Sequence, residues 1–155
     1  MRLLFVQFLA KAVFLLFFIT NLVGCDSQTH VEHKVIQSID QTLCQFHREI
    51  CNQDVNDLVV GLMINPVFAP SEKPLQIKLH FSAPVSDVQM RIEGRDMFMG
   101  VIPVNLQSID EVNYTGTGIY GSCSSNYMVW RAFVSYSYQG QTQSTWFDFL
   151  ADNSG

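Results

Sequence analysis

Leu75-Gln76-Ile77-Lys78-Leu79-His80-Phe81 alternates four apolar side chains with three polar ones. Successive side chains of a β-strand point to opposite faces, so this period of two buries Leu75, Ile77, Leu79 and Phe81 and leaves the others to water. Flanking stretches repeat the pattern. Val88, Met90 and Ile92 alternate with Gln89, Arg91 and Glu93, and Leu58 to Ile64 (LVVGLMI) is a continuous apolar run stopped by Asn65-Pro66. Further strands are predicted over 98–106, 114–120, 128–138 and 141–149, with Gln139-Gly140 as a two-residue turn between the last two. No long stretch carries the 3.6-residue period of a helix. About seven short strands at this spacing predict an all-β fold, an antiparallel immunoglobulin-like β-sandwich, over residues 41–155.

The first 24 residues read differently. They hold two of the nine Lys and Arg, five of the twelve Phe and no acid, and Ala12 to Leu22 runs AVFLLFFITNL. An apolar run this short, with a small residue at its end, is a signal peptide rather than a spanning helix, which needs roughly 20 apolar residues. Leu22-Val23-Gly24-Cys25 resembles the bacterial lipobox, whose Cys is acylated and becomes the new N-terminus after cleavage. The resemblance implies lipidation at Cys25 and attachment to the bilayer through its acyl chains, each buried methylene adding about 0.8 kcal/mol. Asp26 in the next position resembles the signal that retains lipoproteins in the inner membrane, which implies a domain on the periplasmic face. Residues 25–40 then form a polar tether with a weak apolar pattern at Val31, Val35, Ile36 and Ile39.

Without the leader, 131 residues remain, with 7 Lys and Arg against 14 Asp and Glu, a net charge of −7. That is enough chain for one domain with a core of its own. Neutralising phosphate needs clustered cations, and the chain has none, so no nucleic-acid partner is expected. No Gly-x-Ser-x-Gly, His-Glu-x-x-His, P-loop or EF-hand pattern occurs, and no enzymatic activity is expected.

Acylation of Cys25 leaves Cys44, Cys51 and Cys123, an odd number for an oxidising compartment. A disulfide between Cys44 and Cys51 is the favoured reading, because Gln45 to Ile50 is long enough to turn the chain back. The alternative is a metal or redox pair with His47 between its members, although catalytic pairs are usually spaced C-x-x-C. Cys123 is then the odd thiol, in the loop-like stretch Gly121-Ser122-Cys123-Ser124-Ser125-Asn126.

Met97 and Met99 stand out on spacing. If Phe98, Ile102, Val104 and Leu106 line the core, both methionines project to the other face, about 7 Å apart. Thioether sulfur is a soft ligand, suited to Cu(I) rather than to zinc or magnesium, and Cys123 and Met128 would extend the set. The competing reading is that methionine simply fills gaps in packing, and that a bulge near Gly100 or Pro103 reverses the faces. Weaker candidates are His30 and His33 in the tether and His80 on the polar side of its strand. Arg91 and Arg95 beside Glu93 and Asp96 read as surface charge pairs.

Glu93-Gly94 followed by Met97-x-Met99-Gly100, then Cys123-x4-Met128-x-Trp130 and a terminal Trp146-Phe147-x-Phe149, resemble a group of small proteobacterial periplasmic or membrane-bound proteins that look like companions of SCO-type copper chaperones. The resemblance implies copper handling during cytochrome oxidase assembly, with Met97, Met99, Cys123 and Met128 as Cu(I) ligands. The partner it implies is a copper chaperone or an oxidase assembly protein. A second function class stays open: a metal-free β-sandwich that presents an adaptable methionine and aromatic surface to an envelope membrane complex.

Overall fold

The alternation in Leu75–Phe81 is realised residue for residue, its side chains buried and exposed in strict turn. The computed structural model describes Asp40, residues 42–122 and residues 127–152. Eight strands lie within them: β1 (Cys51–Val55), β2 (Leu58–Asn65), β3 (Leu75–Phe81), β4 (Ser86–Gly94), β5 (Val101–Ser108), β6 (Asn113–Gly118), β7 (Tyr127–Tyr138) and β8 (Gln141–Asp152). Every neighbouring pair is antiparallel, in the order β1-β2-β3-β6-β5-β4-β7-β8.

β5 belongs to two layers. Val101–Val104 pair with Glu93–Met90 of β4, whereas Asn105–Ser108 pair with Thr117–Tyr114 of β6. The order therefore folds into a sandwich, with β2-β3-β6-β5 on one side and β4-β7-β8 on the other. That is the four-plus-three arrangement of an immunoglobulin constant-type domain. β1 is the strand that the seven-strand expectation lacks. Its sequence CNQDV has no apolar alternation and its middle three residues are exposed, because it is an edge strand that pairs only with β2. The crossing of β5 brings main chains close together at β6. A Cβ at Gly116 would stand 2.8 Å from the Asn105 carbonyl oxygen and 2.9 Å from Val104 Cγ1, so a side chain there has no room.

Between the layers lie Leu58, Val60, Leu62 and Ile64 of β2, all of β3's apolar residues, Met90 and Ile92, and Trp130, Ala132, Val134 and Tyr136 of β7. Each large side chain taken fully out of water contributes about 1.5–3 kcal/mol. Two tyrosines fasten loops to this core. Tyr120 stacks on Trp130 with ring centroids 4.4 Å apart and donates its hydroxyl to the Ala69 carbonyl, while Tyr114 donates to the Val85 carbonyl at 2.9 Å. Burial pushes the Tyr120 phenol well above its ordinary pKa, so it stays a donor.

Cys44 and Cys51 form a disulfide, with Cα atoms 5.3 Å apart. The bridged segment is stitched to the end of β8, where the Cys44 N–H donates to the Asp148 carbonyl at 2.8 Å and the Phe46 ring meets Phe149 at 5.9 Å. The oxidised pair has no thiolate to offer a metal, and His47 instead stacks on Phe68 at 6.5 Å.

Replacing Cys44 and Cys51 together by Ala should lower unfolding free energy by about 2–3 kcal/mol, since the loop they close is short. Tyr120→Phe should cost about 1–3 kcal/mol by leaving a buried carbonyl without its donor. Urea midpoints at unchanged slope measure both.

Candidate functional site

The loop from Arg95 to Gly100 joins β4 to β5, and its course differs from the predicted strand. Pairing of β5 begins at Val101. The backbone at Gly100 turns to φ +85°, so the pleat does not run back into Met97, Phe98 and Met99. The parity of Ile102, Val104 and Leu106 holds, with Val104 buried and the other two half-buried. Phe98 is the exception: it is 81% exposed rather than in the core. Met97 is also exposed, at 55%, but Met99 is half-buried against the core and does not share a free face with it.

What brings the Met97 main chain to Met128 is the end of the sheet rather than a strand face. The Arg95 N–H still donates to the Val129 carbonyl at 3.0 Å, so the loop leaves β4 in contact with β7. Gly94 pairs with Trp130, two residues beyond Met128 on the same strand. A Cβ at Gly94 would collide with the Met97 carbonyl oxygen and stand 2.5 Å from Met128 Cε. The Met97 main chain and the Met128 methyl therefore meet over the one residue that has no side chain. Met128, like Met99, is half-buried against the core. Cys123 lies outside the described residues, as do Cys25, Asp26, His30 and His33.

Beside this end the charges are paired among themselves. Arg95 holds Asp96 through hydrogen bonds of 3.0, 3.1 and 2.9 Å and reaches Asp148 at 3.8 Å. Arg131 grips Asp148 with Nε and Nη2 at 2.6 and 2.8 Å. The Arg95 hydrogen bond holds the Asp96 carboxyl below the usual range, and the Asp148 hydrogen bond raises Arg131 further. Arg91 bonds Glu93 at 2.6 Å, so the pairs read from sequence at Arg91 and Arg95 are present. Among the described residues no group of three or more His, Cys, Asp or Glu is placed to hold a metal ion. His80 is exposed, its Nδ1 2.9 Å from Asn113 Oδ1. The contact at Gly94 is made by the Met97 carbonyl and the Met128 methyl.

The outer side of β4-β7-β8 carries a feature that sequence reading missed. Arg91 lies over the Phe133 ring at 4.3 Å, and Arg131 lies 5.6 Å from Trp146, which is 53% exposed. The signal was available as parity: Arg131, Phe133 and Trp146 occupy the positions that alternate with the core residues of their strands.

No family model and no curated protein matches the chain. Among solved structures it is similar to a DUF4426 family protein from Pseudomonas aeruginosa, at 15% identity and a TM-score of 0.48, over 68% of this chain and 99% of that one. A DUF4785 family protein from Legionella pneumophila matches at 15% identity and a TM-score of 0.46, over 61% of this chain but only 28% of that chain. The GAE domain of GGA2p from Saccharomyces cerevisiae matches at 18% identity and a TM-score of 0.36, over 65% of this chain and 93% of that one.

Gly94→Ala should displace the loop that carries Met97 and Met99, at a cost of about 1–3 kcal/mol for overpacking. The check is a lowered urea midpoint together with shifted methyl resonances of Met97, Met99 and Met128, while methyls of β2 and β3 stay in place.

Proposed function

We propose that the chain is a non-catalytic periplasmic lipoprotein, anchored through acylated Cys25, that holds or passes on Cu(I) during respiratory oxidase assembly. The observation that carries this reading is that the loop bearing Met97 and Met99 returns its Met97 main chain over Gly94, against the Met128 methyl. Copper is cargo here. Met97, Met99 and Met128 supply thioethers and Cys123 a thiolate, a soft set that favours Cu(I) over harder ions. The neighbouring carboxylates are already committed to arginines, so they offer harder cations little. An exposed Met97 leaves an approach for a donor or acceptor, a copper chaperone or an oxidase assembly protein, to take over the ion.

A second reading, a metal-free interaction module for an envelope membrane complex, draws on the same end. Met97, Phe98 and Val101 are all more than half exposed, and methionine with aromatic residues is a composition enriched at protein interfaces.

Anaerobic titration with Cu(I) against a chelator of moderate affinity separates the two. Under the copper reading the protein competes for one ion, and Met97→Ala/Met99→Ala lowers its affinity by roughly tenfold or more. Equal competition by the double variant removes the site. If copper is ignored and Phe98→Ala abolishes crosslinking to a membrane complex, the second reading stands. The anchor has its own test: Cys25→Ala should move the protein from the membrane fraction to the soluble one.

A further inference from the structure

β8 is the edge strand of its layer, and half of that edge is open. It pairs with β7 through twelve consecutive residues without a register shift. The Asp148 carbonyl accepts from Cys44 on the side away from β7, so the main-chain groups of the even-numbered residues face off the sheet. Beyond Asp148, Thr142, Ser144 and Trp146 therefore present three N–H and three C=O groups that take no backbone partner among the described residues. Unpaired strand edges are ordinarily blunted by charge, proline, a bulge or shortness. Gln141 to Phe147 (QTQSTWF) has no charge and no proline, and β8 is twelve residues long. The other edge, β1, is five residues long and carries Asp54.

We propose that this edge pairs with the same edge of a second copy, antiparallel and centred on Ser144. Two observations favour a second copy over a foreign strand. In a chain whose mature net charge is −7, Gln141 to Phe147 is a stretch where two copies meet without opposing like charges. Centring on Ser144 is also the register that uses all six free groups, because Ser144 then faces Ser144 and Thr142 faces Trp146. The contact sets Trp146 on the outer side against a β-branched partner. The product is a two-fold dimer in which β4-β7-β8 continues across the axis into β8-β7-β4.

The test uses the full chain in mild detergent, with Cys123→Ser as the parent so that the odd thiol does not react. Adding Ser144→Cys puts two thiols across the axis at a Cα separation of about 5.5 Å, within disulfide range. Mild oxidation should then give a band of twice the mass on a non-reducing gel. Thr142→Cys faces Trp146 and should give little, and the parent none. Ser144→Pro removes an N–H that β7 does not use, so the fold should survive while dimerisation measured by sedimentation weakens roughly tenfold or more. Equal crosslinking through positions 142 and 144, a dimer untouched by Ser144→Pro, or a monomeric parent at tens of micromolar would each overturn the proposal. A monomer whose amides at 142, 144 and 146 are nevertheless protected from exchange would assign the edge to another strand, from this chain or a partner.

Discussion

One strand has to serve two sheets, and most of what is distinctive in this molecule follows from that. β5 gives its first four residues to β4 and its last four to β6. The layers are thus sewn together along one side, and the core between them is closed there by main chain rather than by a loop. The crossing also dictates composition locally. Where β5 bends over β6 the approach is too tight for a side chain, and Gly116 occupies that point.

The same constraint positions the methionines. Because β5 must begin beside Glu93, the chain leaving Gly94 has only Arg95 to Gly100 in which to reverse. That tight return pulls the Met97 main chain back over Gly94, where β7 has just delivered Met128. The glycine, the loop and the start of β7 thus form one packing unit. The ion pairs of Arg95 and Arg131 hold its outer wall by fixing the loop and β7 to Asp148 of β8.

Much of the architecture could be read from residues alone, and the misses have physical causes. Leu75–Phe81 and the Met90 and Ile92 pair are half-buried strand residues whose alternation is unambiguous, and both lie as the period requires. The Cys44–Cys51 bridge was legible from the length of its loop. Phe98 was misplaced because an alternation that is genuine from Val101 onward was extended through Gly100, where the backbone turns. β1 was invisible because an edge strand with three exposed residues needs no apolar period; its partner's ladder, not its own side chains, makes it a strand. At the candidate site, the soft residue types were readable from spacing, but their meeting was not. Met97 and Met128 are 31 positions apart, and what joins them is the pairing of Gly94 with Trp130. The stacking of arginines on Phe133 and Trp146 has a related cause: Arg91 meets Phe133, and Arg131 meets Trp146, only through the registers of β4, β7 and β8.

The unequal exposure of the methionines has a chemical consequence. Oxidants convert a thioether to a sulfoxide, which is polar and bulkier, at a rate set by access. Met97 stands in solvent whereas Met99 and Met128 are shielded by the core. Oxidative damage therefore falls on Met97 first, and the two sheltered sulfurs outlast it. The loop thus carries at its rim the methionine sulfur most open to oxidation.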